Sequence, residues 1–119
     1  MNDHRFPRVR PTNLLMPLML MYLQQCNSYG YELIEKTAAF WQETLNPSTV
    51  YRTLSRMENN GDIEGTWDTT KTRGPARKMY CITEAGEAYL DSWMASLEQY
   101  KRNTDAFLQL YRRRAVRDD

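Results

Sequence analysis

The sequence has few of the residues from which catalytic and metal sites are built. It contains one histidine, His4, and two cysteines, Cys26 and Cys81, which show no Cys-x-x-Cys or Cys/His ligand spacing. This pattern indicates neither a zinc site nor a disulfide framework, and it predicts reduced, buried thiols. The sequence also lacks a glycine-rich phosphate loop, and its acids are not arranged as a paired site. We therefore expect no cofactor, no metal and no enzymatic activity.

Long apolar runs and a strong excess of one charge are also missing. The apolar stretch at 14–23 has only ten residues, too few to span about 30 Å of hydrocarbon. Pro17 beside it and the absence of a small-residue cleavage site argue against a signal peptide. The pattern predicts a cytoplasmic protein with no membrane partner. Because the formal net charge is only +1, any affinity for DNA must come from local basic patches.

Residues 46–61 are the most informative part of the chain. Asn46 is a good helix N-cap, Pro47 suits the first helical position, and Gly61 supplies a stop. At about 100° per residue, this helix has two sharply different faces. The apolar stripe consists of Val50, Leu54 and Met57, and the polar face of Ser48, Thr49, Tyr51, Arg52, Ser55, Arg56 and Asn59.

The polar face suits a helix that enters the DNA major groove. Its hydroxyl, phenol and guanidinium groups can bond to phosphate oxygens and base edges, and no carboxylate precedes Glu58. Ser48, Thr49 and Arg52 are predicted to contact base edges or nearby phosphates, because the first turns of a recognition helix point into the groove. Phosphate contacts are predicted for Tyr51, Ser55 and Arg56. A small amphipathic helix with a solvated polar face is the alternative, so the neighbouring elements must decide.

The chain before residue 28 is predicted to form an arm and a buried helix. Residues 1–11 include two prolines and three arginines, which is typical of a flexible basic arm. Thr12 or Asn13 can cap a first helix that runs to about Gln25. Its apolar residues cover nearly the whole circumference, so the helix must be buried on several sides.

A second helix is predicted from about Tyr29 to Thr44, capped from Asn27-Ser28. Its apolar positions at helical spacing are Tyr31, Ile34, Ala38 and Trp41. The helix at 46–61 follows after a very short connection. Two helices joined in this way, the second with a polar outward face, are the core of a helix-turn-helix.

The segment after Gly61 predicts a β-hairpin with a basic tip. Residues 63–68 and 77–82 read as strands, and residues 69–76 form a turn-rich loop between them. Such a hairpin directly after a recognition helix is typical of a wing, which adds sequence-independent affinity or reaches a minor groove. The wing residues predicted to contact DNA are Lys71, Arg73, Arg77 and Lys78. The alternatives are an ordinary solvated hairpin, and basic side chains that solvate an exposed strand edge.

A long final helix is predicted after Thr83, which caps it. Its apolar and aromatic positions alternate at intervals of three and four, as in a heptad seam, so a coiled-coil partner is expected. A helix of about 30 residues would extend ~45 Å, too far for one small domain to cover. The predicted partner is a second copy of the chain, and the alternative is an intrachain contact. The seam positions are Leu90, Trp93, Leu97, Tyr100, Thr104, Phe107 and Tyr111.

Three stretches together resemble the PadR-type winged-helix transcriptional regulators. They are Tyr-Gly-Tyr-Glu-Leu-Ile-Glu-Lys at 29–36, Pro-Ser-Thr-Val-Tyr-Arg-Thr-Leu-Ser-Arg-Met-Glu at 47–58, and Gly-Pro-Ala-Arg-Lys-Met-Tyr at 74–80. The resemblance implies a mainly α fold with a small β-hairpin. In that fold a winged helix-turn-helix DNA-binding domain occupies 12–82, and a dimerisation helix with a basic tail occupies 83–119. It further implies a homodimer that binds a palindromic operator, usually as a repressor.

The single long helix after the wing is similar to the short-tailed branch of that family. Some members of the branch bind aromatic or cationic drugs between subunits, against a tryptophan of the last helix. The resemblance therefore implies that Trp93, together with Met16 and Met19, is a candidate wall for a small aromatic or apolar effector. Packing in a continuous dimer core explains the same residues equally well.

Two other classes of protein remain open from the sequence. Winged helices also bind proteins, and the heptad helix could pair with a different chain, so an adaptor is the main alternative. An architectural, non-specific DNA binder would need a larger basic surface than a net charge of +1 suggests.

Overall fold

The computed structural model describes residues 14–70 and 74–117. The predicted arm at 1–11, the caps at 12 and 13, and the wing residues Lys71 and Arg73 lie outside them. Four helices surround a small antiparallel sheet with strand order β1-β3-β2. The elements are α1 (Leu15–Gln25), β1 (Ser28–Tyr29), α2 (Gly30–Trp41), α3 (Pro47–Asn59), β2 (Ile63–Asp68), β3 (Arg77–Ile82) and α4 (Glu84–Arg117). The predicted mainly α, winged helix-turn-helix fold with a long C-terminal helix is confirmed.

Helix α1 is the centre of the fold. It contacts α2, α3, β3 and α4, and its Met19, Leu20 and Leu23 are almost completely buried. These side chains meet Leu33 of α2 and Leu54 of α3 in one apolar core. Each fully buried Leu or Met contributes roughly 1.5–3 kcal/mol relative to an exposed side chain. Helix α1 is therefore buried on several sides, as we predicted from apolar residues that cover nearly its whole circumference.

Helix α2 presents a partly different face to the core from the predicted one. Leu33 and Thr37 are fully buried. The Thr37 hydroxyl is not left without a hydrogen bond, because it donates to the Leu33 carbonyl oxygen at 2.7 Å. Tyr31, which we expected on the apolar face, is exposed. The helix also ends at Trp41 rather than Thr44, because Gln42 adopts a left-handed conformation with φ 55°. Ile34 does pack against the core, and Ala38 and Trp41 are half-buried. The predicted stripe is therefore wrong for Tyr31, and it omitted the fully buried Leu33 and Thr37.

A two-residue strand, β1, was not predicted. Ser28 pairs with Tyr80 and Tyr29 with Met79 in antiparallel register, so the segment expected to cap α2 instead forms a third strand. Tyr29 is the N-cap residue, and its backbone N–H donates to the Glu32 carboxylate at 2.8 Å. Strand β1 thereby fixes the start of α2 against the sheet.

The hairpin has the predicted bounds. β2 and β3 pair antiparallel from Ile63 opposite Ile82 to Asp68 opposite Arg77. Gly65 of β2 leaves room for the Lys78 side chain, since a Cβ at this position would lie 2.5 Å from Lys78 Cε. This close passage carries the Lys78 ammonium across the hairpin.

Helix α4 begins in the winged helix and then leaves it. The Gly86 N–H donates to the Thr83 hydroxyl at 3.0 Å, which confirms Thr83 as the cap, and that hydroxyl donates to the Gly61 carbonyl oxygen at 2.6 Å. Leu90 is buried in the core. From residue 98 to residue 114 every side chain is exposed, so the distal half of α4 projects away from the core.

The cysteines are more accessible than we predicted. Cys26 is exposed, and Cys81 on β3 is half-buried. Cys26 follows the end of α1, where the chain turns into β1, so its apolar sequence context does not translate into burial. The prediction of buried thiols is therefore wrong for Cys26.

Candidate nucleic-acid interface

Helix α3 has the two faces that its sequence predicted. The Asn46 side-chain oxygen accepts the Ser48 backbone N–H at 2.9 Å, and Pro47 occupies the first turn. Val50, Leu54 and Met57 are completely buried, which turns the opposite face outward. The exposed residues of that face are Ser48, Thr49, Tyr51, Arg52, Ser55 and Arg56.

Cations dominate this outward face. Within residues 14–70 and 74–117, no carboxylate forms an ion pair with Arg52 or Arg56. Glu58, the acid nearest to them on α3, points to the hairpin instead. Its carboxylate lies 2.9 Å from Lys78 Nζ and accepts the Gly65 backbone N–H at 3.3 Å. The positive charges of Arg52 and Arg56 therefore remain available to an anionic partner such as a phosphate backbone.

Lys78 lies between α3 and the hairpin. Besides its ion pair with Glu58, its ammonium lies 5.5 Å from the Trp67 ring centroid and 5.8 Å from that of Tyr80. The hydrogen bond from Glu58 raises the pKa of Lys78, because it stabilises the charged form. We predicted that Lys78 would contact DNA or solvate a strand edge, whereas in the fold its charge is compensated by Glu58.

Arg77 is held in a second cluster, the wing-base cluster, which consists of Tyr29, Tyr31, Asp68, Thr70 and Arg77. Its guanidinium carbon lies 3.9 Å from the Tyr29 ring centroid. Its Nη1 donates to the Tyr31 hydroxyl at 3.0 Å, and its Nη2 lies 3.7 Å from Asp68 Oδ2. Arg77 thus ties the end of the hairpin to the start of α2, and sequence reasoning could not see this contact between distant positions.

Asp68 organises the same cluster by accepting several hydrogen bonds. The Thr70 hydroxyl donates to it at 2.6 Å, the Thr70 backbone N–H at 3.0 Å and the Tyr29 hydroxyl at 2.5 Å. These bonds, Thr70 first, hold the pKa of Asp68 well below its usual range. The bond to Asp68 in turn raises the pKa of Tyr29. Asp68 is therefore ionised, and its negative charge offsets that of Arg77.

Gly30 brings the start of α2 against the recognition helix. A Cβ at this position would lie 2.5 Å from Cε1 and 3.1 Å from the hydroxyl oxygen of Tyr51. Only glycine lets the Tyr51 ring rest directly on α2, which gives a physical reason for glycine within the Tyr-Gly-Tyr segment. Tyr51 stays 44% exposed, so a large part of its side chain remains at the surface.

The comparisons with known proteins agree with this geometry. Residues 19–92 match the model of the transcriptional regulator PadR-like family. The chain belongs to this family. It is also 36% identical over 81 residues to a probable transcriptional regulator of Mycobacterium tuberculosis, and spans 41% of the length of that protein.

Solved PadR-like structures share the architecture. A PadR-like transcriptional regulator from Bacillus cereus superposes with a TM-score of 0.69 at 30% identity, over 81% of this chain and 92% of that one. A PadR family regulator from Clostridium difficile gives a TM-score of 0.70 at 27% identity, over 81% and 99% of the two chains. The family assignment therefore covers both the winged helix and the start of the long helix.

In this PadR-like chain the predicted seam of α4 divides into two parts. Leu90 is buried in the chain's own core, and Trp93 and Leu97 are half-buried. Leu90 is therefore already covered, which corrects its assignment to the dimer interface. The predicted distal positions are accessible: Tyr100 is 47%, Phe107 71% and Tyr111 59% exposed.

The residues considered for an effector are not equally accessible in this PadR-like fold. Met19 is completely buried in the core and Met16 is half-buried. Trp93 is half-buried, and its Nε1 lies below the surface without an acceptor among the described residues. Met19 therefore acts as core packing, which corrects its assignment as a pocket wall.

The described residues show neither a membrane-spanning helix nor a cluster of metal ligands. No helix in 14–70 or 74–117 has the length and apolarity needed to cross a membrane. Within the same ranges, no group of three or more His, Cys, Asp or Glu side chains is close enough to hold a metal ion.

Proposed function

We propose that this PadR-like chain is a sequence-specific DNA-binding repressor that works in the cytoplasm as a homodimer on a palindromic operator. The observation that carries the proposal is the outward face of α3, where two guanidinium groups and several hydroxyl groups project. Among residues 14–70 and 74–117, no carboxylate pairs with these guanidinium groups. Such a surface matches the donors that read base edges and phosphates.

Specificity is assigned to the first turns of α3. Ser48, Thr49 and Arg52 are exposed near its N-terminus, the end that a recognition helix directs to the bases. A bidentate bond from Arg52 to a guanine would contribute ~1–3 kcal/mol of discrimination between bases. Tyr51, Ser55 and Arg56 are proposed to bind phosphates.

The basic residues of the wing are proposed to have two different roles. Lys71 and Arg73 are proposed to supply its phosphate contacts. Arg77 and Lys78, whose charges are compensated by Asp68 and Glu58, are proposed to hold the wing at its angle to α3. Only the first pair should then contribute to the salt dependence of DNA binding.

Dimerisation is assigned to α4. Tyr100, Phe107 and Tyr111 repeat at heptad spacing and are exposed, and exposed apolar surfaces of this kind mark interfaces. A second copy would double the DNA contacts and set the spacing of two half-sites at about one helical turn, ~34 Å. A different protein on the same seam is the competing function, that of an adaptor.

The test is selection of bound fragments from a genomic DNA library at physiological salt with competitor DNA. The expected result is a short inverted repeat, recovered by the wild-type chain and by Arg102→Ala, an exposed α4 control, with less discrimination at one base pair by Arg52→Ala. A chain that selects no shared motif and sediments as a monomer would refute the regulator and favour the adaptor.

A further inference from the structure

A cleft of about 350 Å³ opens where α2, α3 and the hairpin meet. Its walls are unusually rich in aromatic rings. The lining residues are Tyr29, Gly30, Tyr31, Tyr51, Trp67, Pro75, Ala76, Arg77, Lys78 and Tyr80. The volume lies at the lower end of the range for small-molecule sites, ~300–1,000 Å³. It would hold a molecule of two or three fused rings rather than a long chain.

The rings come from separate elements and leave their surfaces open. Tyr31 on α2, Tyr51 on α3 and Trp67 on β2 are 43%, 44% and 59% exposed. Side chains of this size usually bury most of their area, so three of them around one cleft leave apolar surface for a flat partner. Gly30 has no side chain, and this leaves room for the Tyr51 ring to form one wall of the cleft.

The cations at the cleft do not call for an anionic ligand. Arg77 is paired with Asp68 and Lys78 with Glu58, so the charges near the cleft compensate. One donor remains: Arg77 Nε is buried and has no acceptor among residues 14–70 and 74–117. Because this nitrogen has no accessible surface, a ligand in the open cleft cannot reach it, so the ligand is recognised by its flat apolar faces.

We propose that this cleft binds an uncharged, planar aromatic molecule of two or three fused rings. The rings of Tyr31, Tyr51 and Trp67 hold its faces. The site is distinct from the surface around Trp93 on α4. Because Tyr51 belongs to both the cleft and the outward face of α3, occupancy weakens DNA binding; this part rests on the proposed function.

The probe is 2-quinolone, a planar two-ring lactam, added to ¹⁵N-labelled full-length protein. Trp67→Phe identifies the indole N–H signal of Trp67 among those of Trp41 and Trp93. We expect saturable shifts of the Trp67 signal with the planar probe, and none with the fully saturated analogue, which keeps the carbonyl but lacks the flat rings. No saturable shift, or one confined to Trp93, would overturn the site.

A matched pair of variants tests the position. Ala76 is an exposed residue of the cleft, so Ala76→Leu fills the cleft from its rim without touching the core. Ala39→Leu makes the same change on the exposed side of α2, outside the cleft. We expect binding of 2-quinolone to weaken ~10-fold in the first and to stay unchanged in the second, as for loss of a shaped pocket. Equal binding by both variants would contradict the proposal.

DNA binding is measured separately, so the two proposals fail independently. Protein that binds 2-quinolone but no DNA would refute the regulator and support the cleft. Protein that binds DNA but not 2-quinolone would support the regulator and refute the cleft. Binding of both without mutual weakening would overturn the proposed coupling through Tyr51.

Discussion

Gly30 and Gly86, two crowded glycines at the starts of α2 and α4, make a sharp prediction, because the same Gly→Ala change meets a different obstacle at each. At Gly30 the new Cβ would lie 2.5 Å from Tyr51 Cε1, on a side chain that is free to turn. At Gly86 it would lie 2.1 Å from the Asp62 carbonyl oxygen and 3.0 Å from the Asp62 carbonyl carbon, both in the backbone. Ordinary contact begins at 3.4 Å, so the Tyr51 ring must retreat by about 0.9 Å and the Asp62 backbone by about 1.3 Å.

The expected consequences separate stability from function. Gly30 has no positive φ, so alanine fits its backbone and stabilises the fold by ~0.4–1 kcal/mol through lower entropy of the unfolded chain. This gain offsets the small cost of turning Tyr51. Gly30→Ala should therefore leave the midpoint of thermal unfolding nearly unchanged. Gly86→Ala forces the start of α4 away from the turn after α3, and overpacking of this kind costs ~1–3 kcal/mol or more. A net loss of 1 kcal/mol would lower Tm by ~4–8 °C in a domain of this size.

The DNA assay should show the opposite ranking. In Gly30→Ala the Tyr51 hydroxyl moves from its position, and loss of one hydrogen bond to a phosphate should weaken DNA binding by ~1.5–3 kcal/mol. The slope of log K against log salt should stay the same, because it counts phosphates that are neutralised by cations and the phenol is neutral. Tyr51→Phe should reproduce that loss without moving the ring. Fluorescence anisotropy at several salt concentrations measures the slope, and circular dichroism measures Tm. The reasoning is refuted if Gly30→Ala unfolds as easily as Gly86→Ala, or if it leaves DNA binding intact.

Four further outcomes are expected. Arg52→Ala should relax specificity at one base pair, by ~1–3 kcal/mol of discrimination, as a base-substitution series would measure. Arg77→Ala should lower Tm yet change the salt slope by less than the ~0.9 expected for a phosphate contact; an unchanged Tm with a reduced slope would restore Arg77 to the DNA surface. Burial raises the pKa of Asp62, so the ionised carboxylate opposes folding at neutral pH. The free energy of unfolding should therefore increase as the pH falls from the folded pKa towards the unfolded pKa. Asp62→Asn should therefore raise stability at pH 7 and lose that advantage near pH 3, in urea unfolding at both pH values. Phe107→Glu should convert a dimer to a monomer in sedimentation without changing Tm of the winged helix, and a dimer that persists would exclude the distal seam.

The sequence contained enough local information for α3 and the hairpin. The N-cap bond of Asn46, the position of Pro47 and the apolar stripe depend on residues only a few positions apart, and the strands have the predicted limits. The short strand β1 was missed because two residues carry no alternation to detect. The core face of α2 was predicted only in part, because the stripe was drawn through Tyr31 and Trp41, whereas the fully buried positions are Leu33 and Thr37.

The site required tertiary information that no spacing contains. Arg77 and Tyr31 are 46 positions apart, and Lys78 and Glu58 are 20 apart, so their pairing appears only when the hairpin folds onto α2 and α3. From the sequence alone, all four basic wing residues look equivalent. The fold distinguishes two of them by the carboxylates that they meet.

The length of α4 gives it the properties of a lever. About 27 residues separate Leu90, where the helix leaves the core, from the end of α4, and at 1.5 Å per residue they span ~40 Å. A tilt of only ~5° about the distal end would displace the winged helix by ~3.5 Å, close to the ~3.4 Å step between neighbouring base pairs. If the distal halves of two copies pack together, small changes in packing near Leu90 would move each winged helix by a whole base-pair step. The spacing between half-sites would then depend on packing far from the DNA.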